Sequence, residues 1–368
     1  MNAIYFQAES DALTIVGDPA TLVRTRTVNQ EGAPGAVGYD EFGLRQGYTG
    51  DGYLDINGTS TGVRATFELN VPAGTYNIHL RVANGAGGTS GDGFNRPIAI
   101  AVNGELQGGP QNTHTGGFDR WAVKTFPVTL VGEGPFTIGI VQATSGGAPN
   151  IDVIAVSGPG ETPLALTTIQ AEGPEVSVQD IGVPSNGDFT RVVDAGNPDA
   201  TGNYRAGAVG GAYMDFGSNP GDAITFNVDA PTAGTYAVLI RYATASNRPL
   251  DLSVNGAAAS QVAFVPGGAA ATTWETWVEK AVQVDLVAGE NTIKLAIPAG
   301  STAGGPNIDQ ISLMYLGGDN AVNQAPVVVD GGIADATVAE DSAFNLDLST
   351  RFSDADGESL TFSAAGLP

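Results

Sequence analysis

Gly74-Thr75-Tyr76-Asn77-Ile78-His79-Leu80-Arg81-Val82 alternates apolar and polar residues over a full strand length. Tyr76, Ile78, Leu80 and Val82 share one face and Asn77, His79 and Arg81 the other, the period of two expected of a strand that buries one face. Outward from it, the same period runs through Phe126, Val128 and Leu130, and again through Val282, Val284 and Leu286. Turn chemistry separates these runs at Pro72-Ala73-Gly74, Asn103-Gly104 and Ala288-Gly289-Glu290-Asn291. No window of a dozen residues carries an amphipathic helix. With 52 Gly and 21 Pro in 368 residues, the chain reads as all-β and rich in turns.

The deciding strand also occurs twice. Gly74-Thr75-Tyr76 and Arg81 return as Gly234-Thr235-Tyr236 and Arg241, and Gln7-Ala8-Glu9 returns as Gln170-Ala171-Glu172. Gly52-Tyr53-Leu54-Asp55 has a counterpart in Ala212-Tyr213-Met214-Asp215, and Asn95-Arg96-Pro97 in Asn247-Arg248-Pro249. Val102-Asn103-Gly104, Trp121 and Pro149-Asn150-Ile151-Asp152 match Val254-Asn255-Gly256, Trp277 and Pro306-Asn307-Ile308-Asp309, all in the same order. The chain is therefore read as a tandem duplication of a unit of about 150 residues. The expected organisation is two antiparallel β-sandwiches over residues 1–160 and 167–317, joined through Glu161-Thr162-Pro163. A segment of different character, 323–368, follows Gly317-Gly318-Asp319-Asn320 and is too short to bury a core of its own.

Composition removes several classes of function. Asp and Glu number 39 against 15 Lys and Arg, a formal net charge of −24, which argues against phosphate neutralisation on nucleic acid and against anionic membrane surfaces. No apolar run approaches the roughly 20 residues of a membrane span, and Met1–Phe6 lacks the basic-then-apolar order of a signal peptide. The absence of cysteine excludes disulfides, thiolate nucleophiles and cysteine-metal sites, and His79 and His114 are too few for a histidine metal site. A bound metal is then hard and oxygen-ligated, which in an acidic chain points to calcium. Gln7 and Glu9 stand two apart on a strand and project from the same face. Asp152 joins them if the first and last strands of the unit lie side by side, and Gln170, Glu172 and Asp309 repeat the set. Glycosidase chemistry needs two opposed carboxylates, and Glu9 with Asp152 is better explained as metal ligation, so no catalytic residues are assigned.

These landmarks together resemble the carbohydrate-binding modules of families 6 and 35. The resemblance is carried by Gln-Ala-Glu, the Gly-Thr-Tyr strand with its Arg, Asn-Arg-Pro before Val-Asn-Gly, the late Trp, and Asn-Ile-Asp. It implies non-catalytic jelly-roll, galactose-binding-like sandwiches. It also implies that the Gln-Glu-Asp sets hold a structural calcium, completed by backbone carbonyls near Arg26 and Arg191. Trp121 and Trp277 become platforms for the C–H face of a sugar, with Asn150 and Asn307 as hydrogen-bond partners. Tyr204 is the second aromatic of the second unit; in the first, Tyr39 and Tyr48 compete for that role. Arg81 and Arg241 lie on the strand face away from the core, available either to a sugar carboxylate or to a neighbouring strand's acid. Trp274, Arg96 and Arg248 read as structural.

The segment Asn323-Gln324-Ala325-Pro326, Ala339-Glu340-Asp341, Phe352-Ser353-Asp354-Ala355-Asp356-Gly357 resembles the start of an Ig-like, cadherin-type module. Asp354 and Asp356 with Glu340 suit either calcium or ordinary turn chemistry. The expected function is calcium-stabilised binding of a polysaccharide or glycan by two tandem modules of a larger secreted or cell-surface protein. The alternative is a pair of spacer modules in an extracellular adhesin that bind no sugar.

Overall fold

The computed structural model describes residues 3–10, 12–16, 22–34, 39–56, 62–85, 96–144, 147–181, 190–199, 201–267, 274–318, 327–328 and 351–353. The first unit contributes β1 (Ile4–Gln7), β2 (Thr14–Val16), β3 (Leu22–Thr25), β4 (Gly52–Asp55), β5 (Arg64–Leu69) and β6 (Gly74–Asn84). It continues with β7 (Ile98–Val102), β8 (Glu105–Gln111), β9 (Gly117–Leu130), β10 (Phe136–Gln142) and β11 (Asn150–Ser157). One sheet runs β3-β4-β11-β6-β9 with β1 also on β11, and the other runs β2-β5-β10-β7-β8. The second unit repeats this plan. Its strands are β12 (Leu166–Gln170), β13 (Val176–Gln179), β14 (Arg191–Asp194), β15 (Ala212–Asp215), β16 (Ala223–Ala230) and β17 (Gly234–Ala243). Then come β18 (Leu250–Val254), β19 (Ser260–Val262), β20 (Val278–Leu286), β21 (Gly289–Ala296) and β22 (Asn307–Gly317). Their orders are β14-β15-β22-β17-β20, with β12 on β22, and β13-β16-β21-β18-β19.

Alternation decides which residues meet between the sheets. Ile78, Leu80 and Val82 of β6 pack with Phe67, Ile100 and Ile138 of the opposing sheet, and Val238, Ile240 and Leu295 do the same in the second unit. The first and last strands of each unit are neighbours, with Gln7 opposite Val153 and Gln170 opposite Gln310.

The deciding strand departs from a one-face pattern, because His79 and Arg81 are as buried as their apolar neighbours. The reason is the second sandwich. Val153 and Ala155 on the outer face of the first unit's sheet share an apolar cluster with Ala237, Leu239, Ala281, Met314 and Leu316 of the second. Tyr5 meets Tyr315 edge to face at 5.5 Å, and Lys280 bonds Glu41 across the same seam. Residues 1–318 therefore form one compact unit that contains two separate cores.

Residues 319–368 form a second unit, in which β23 (Val327–Val328) pairs antiparallel with β24 (Phe352–Ser353). Glu340, Asp354 and Asp356, singled out above, lie outside the described residues.

Candidate functional site

Each unit gathers polar side chains where its first strand, its last strand and one loop meet. In the first unit, Thr49 Oγ1 donates to Gln7 Oε1 at 3.3 Å and to Asp152 Oδ1 at 3.1 Å, and the Asp51 amide donates to Glu9 Oε1 at 3.0 Å. Gly50 must be glycine here: its φ is +63° and a Cβ would overlap Glu9 Oε1. Glu9 Oε2 is buried with no donor. Burial, and then the nearby Asp152, push the Glu9 carboxyl up to about 8. In the second unit Glu172 Oε2 and Gln170 Oε1 are likewise buried without a donor, and burial raises Glu172. Buried acceptor oxygens lacking any proton donor suit a hard cation. Among the described residues, no three His, Cys, Asp or Glu side chains gather as a metal cluster, so a cation here relies on the amide and loop carbonyls as well.

Two ligand expectations meet a different geometry. Asp152 and Asp309 are already engaged: Arg81 bonds Asp152 Oδ2, and Arg241 bonds Asp309 Oδ2. Each aspartate sits at a register shift, between Ile151 and Val153 in one unit and between Ile308 and Gln310 in the other. Such a bulge re-aims the extra residue's side chain, and here it points at the arginine of the adjacent strand. Of the two roles open to Arg81 and Arg241, the structure therefore shows the strand-to-strand ion pair. The Arg26 carbonyl accepts the Gln30 side-chain amide at 2.9 Å, and Gly50 and Asp51 approach Glu9.

The tryptophans lie one strand away from these arginines. Trp121 is opposite Ala83, which is opposite Asn150, which is opposite Asp55. Asn307 stands opposite Ala243 in the second unit, and Val278, the residue after Trp277, stands opposite Tyr242. Trp121 Nε1 donates to the Gln46 carbonyl at 2.8 Å and Trp277 Nε1 to the Ala206 carbonyl at 2.9 Å. These bonds align Leu44-Arg45-Gln46-Gly47-Tyr48-Thr49-Gly50 with Tyr204-Arg205-Ala206-Gly207-Ala208-Val209-Gly210. Tyr204 therefore corresponds to Leu44, and neither Tyr39 nor Tyr48 is its equivalent. The shared Arg-X-Gly-X-X-Gly spacing is a signal in the sequence that the landmarks above passed over. Asn150 and Asn307 are only 2% and 3% exposed. They offer little surface of their own, and the Asn150 side-chain amide nitrogen is buried without a hydrogen-bond partner.

The two loop ends differ in what fills them. In the first unit, Leu44, Tyr48 and Tyr53 are buried together beside Trp121. Glu31 accepts Arg45 at 2.7 Å and the Tyr53 hydroxyl at 2.7 Å, Tyr48 donates to Asp40 at 2.8 Å, and Arg24 pairs with Asp55 at 2.6 Å. Arg45 lies over Tyr39 and near Phe118, which also carries Arg96. Glu279 of the second unit approaches Gly47 beside Trp121, and Glu9 faces a cleft of about 460 Å³ walled by Gln261, Lys280 and Val282 of the second unit.

In the second unit Tyr204, Tyr213 and Trp277 form a chain of rings, with centroids 6.2 and 5.4 Å apart, and Tyr204 and Trp277 keep part of their surface in solvent. Asp215, the counterpart of buried Asp55, is only half-buried; burial raises its carboxyl to about 6 against the pull of Arg191 and Arg205. Trp274 carries Arg248 at 4.5 Å, a structural stack equivalent to Phe118 with Arg96.

A duplicated β-sandwich with an aromatic loop end is the class this geometry defines. Residues 193–314 match the model of the carbohydrate binding module, family 6. An exo-β-D-glucosaminidase of Amycolatopsis orientalis is 44% identical over 111 residues, 29% of this chain and 10% of that protein. A 1,6-α-glucosyltransferase of Sporosarcina globispora is 28% identical over 295 residues, 78% of this chain and 20% of that protein. The chain thus spans a tenth to a fifth of these relatives. A family 35 carbohydrate binding module from Clostridium thermocellum has a TM-score of 0.32 at 27% identity, covering 40% of this chain and 98% of that one.

Proposed function

We propose that residues 1–318 are a non-catalytic carbohydrate-binding pair of a larger extracellular protein, and that the second sandwich carries the open saccharide site. The observation that supports this most directly is the part-exposed Tyr204–Tyr213–Trp277 ring chain, which lies inside the segment matching the family 6 module. The polarised C–H face of a pyranose stacks on an indole, and flanking polar groups fix its orientation. Trp277 supplies the ring, Tyr204 the second aromatic surface, and Asp215 an acceptor for sugar hydroxyls. Calcium at Gln7 with Glu9, and at Gln170 with Glu172, would be held by oxygens alone and would tie the first strand to the loop. It acts in this scheme as a structural clamp.

In the first sandwich, internal contacts fill the loop end and the second sandwich walls it, so that copy serves as the rigid partner of the binding copy. The test is a glycan and polysaccharide array in calcium buffer, run with the intact chain and with Trp277→Ala and Trp121→Ala. Binding lost only with Trp277→Ala supports the proposal. Loss only with Trp121→Ala reverses the assignment of the two copies. A blank array from folded protein favours the spacer reading, in which both sandwiches serve only the contact surface they already share.

A further inference from the structure

The two units differ at their loop ends, yet one arrangement is the same in both. Arg81 bonds Asp152, donates to the Gly47 carbonyl at 2.9 Å and stands 5.3 Å from the Trp121 ring centre. Arg241 bonds Asp309, donates to the Gly207 carbonyl at 2.9 Å and stands 5.3 Å from the Trp277 ring centre. The other aspartate oxygen accepts the amide of Thr49 at 2.8 Å or of Val209 at 3.1 Å. Gly47 and Gly207 have φ of +83° and +93°, and a Cβ on either would press on Cδ1 of the tryptophan. Three residues further along, Gly50 and Gly210 face the Glu9 and Glu172 carboxylates. One short loop therefore touches the indole at one end and the buried oxygen cluster at the other, and one arginine bridges the same two places.

We propose that Arg241, and Arg81 in the other copy, is a positioning residue that couples the oxygen cluster to the tryptophan platform. The inference rests on the reading of Gln170 and Glu172 as a cation site. Its physical basis is charge repulsion across the Val209–Gly210 turn, which bonds Asp309 on one side and faces Glu172 on the other. A cation held by Gln170 and Glu172 adds positive charge near the Arg241–Asp309 pair, and the guanidinium, repelled by that cation, settles more firmly on the indole face. Arginine suits both tasks because its planar fork bonds a carboxylate and a carbonyl while its face lies on a ring. Cation binding thereby sets the ring on which the sugar stacks. In the second unit the arginine side chain is 21% exposed against 4% in the first, so the coupling has more freedom to act where the platform is open.

The experiment uses the full chain with Trp121→Phe and Trp274→Phe, which leaves Trp277 as the sole tryptophan. Calcium chloride is titrated while emission and binding heat are recorded in parallel, and the series is repeated with Arg241→Met and Arg241→Lys. The expected result is an emission change that saturates with the heat in the parent. Arg241→Met should keep the heat and lose the emission change, and its affinity for array-identified glycan should fall about three- to fivefold. Arg241→Lys, which keeps the charge without the fork, should restore part of the emission change and guards against a Met variant that does not fold. Heat without an emission change in the parent overturns the coupling while leaving the cation site standing. An unchanged emission response in both arginine variants also overturns it. Absence of heat in the parent removes the cation site itself and the coupling with it.

Discussion

The loop ends of the two sandwiches start from one ancestral plan and finish with opposite surfaces. Leu44 and Tyr204 occupy equivalent places before the same Arg-X-Gly turn, yet Leu44 is fully buried and Tyr204 keeps part of its ring in solvent. Asp55 is locked by Arg24, whereas Asp215 is half-buried. The longer loop after β3 supplies Glu31 and Tyr39, which engage Arg45, and Asp40 and Tyr48, which bond each other, and the second sandwich walls the same region. The lesson is that a loop end packs shut when its own loop and its neighbour meet its hydrogen-bonding and apolar needs, even with the tryptophan retained.

The largest effect that would test this contrast is on stability. Leu44→Ala removes a buried side chain and should cost about 2–5 kcal/mol in a denaturant titration. Tyr204→Ala at the equivalent place should cost under about 1 kcal/mol while lowering glycan affinity. Equal losses of stability would break the comparison.

Next in size is the oxygen cluster. With its carboxyl raised to about 8, metal-free Glu9 favours the folded state while protonated. That stability is fully present below about 4.5 and is lost as pH rises through about 8. The melting temperature in chelator should therefore fall across this range, Glu9→Gln should flatten the fall, and calcium at about 100 times its Kd should add about 2.7 kcal/mol. Glu172→Gln should flatten it less, since Glu172 is raised without a second carboxylate beside it. A larger effect from Glu172→Gln would show that the first cluster is the more solvated one.

The smallest expected effect is on the pH profile of binding. Asp215, raised to about 6, is the stronger hydroxyl acceptor when ionised, so glycan affinity should drop a few-fold as pH falls through about 6. Asp215→Asn should give a flat, weakened profile, measured by calorimetry. A profile unchanged by the substitution would take Asp215 out of the site.

Much of the fold is legible in the residues alone. Period-two alternation located core strands, and duplication of ordered landmarks pointed to a repeated all-β plan, because strand patterning and repetition are local properties of the chain. Gln7 could be put beside the last strand, but Glu9 lies in the turn that follows β1, as Glu172 does after β12, and not on the strand face. The engagement of Asp152 by Arg81 could not be read, because it needs β6 beside β11 and a one-residue bulge that turns the aspartate. Burial of the polar face of β6 was hidden for a related reason: alternation tells which side chains share a face, and says nothing of what comes to lie against it.

By itself the sequence determined an all-β chain built as a repeated sandwich, an oxygen-only ligand supply, and a tryptophan, asparagine and aspartate at matching places in each copy. Those follow from residue chemistry and spacing along the chain. Only the tertiary structure decided that the outer sheets of the two sandwiches meet through Val153, Ala155, Leu239 and Met314, that Leu44 is buried at one loop end while Tyr204 is part-exposed at the other, and that arginine joins each aspartate to its tryptophan. Such features depend on which strands become neighbours and on how burial is shared among distant residues, and that is fixed only when the whole chain has packed.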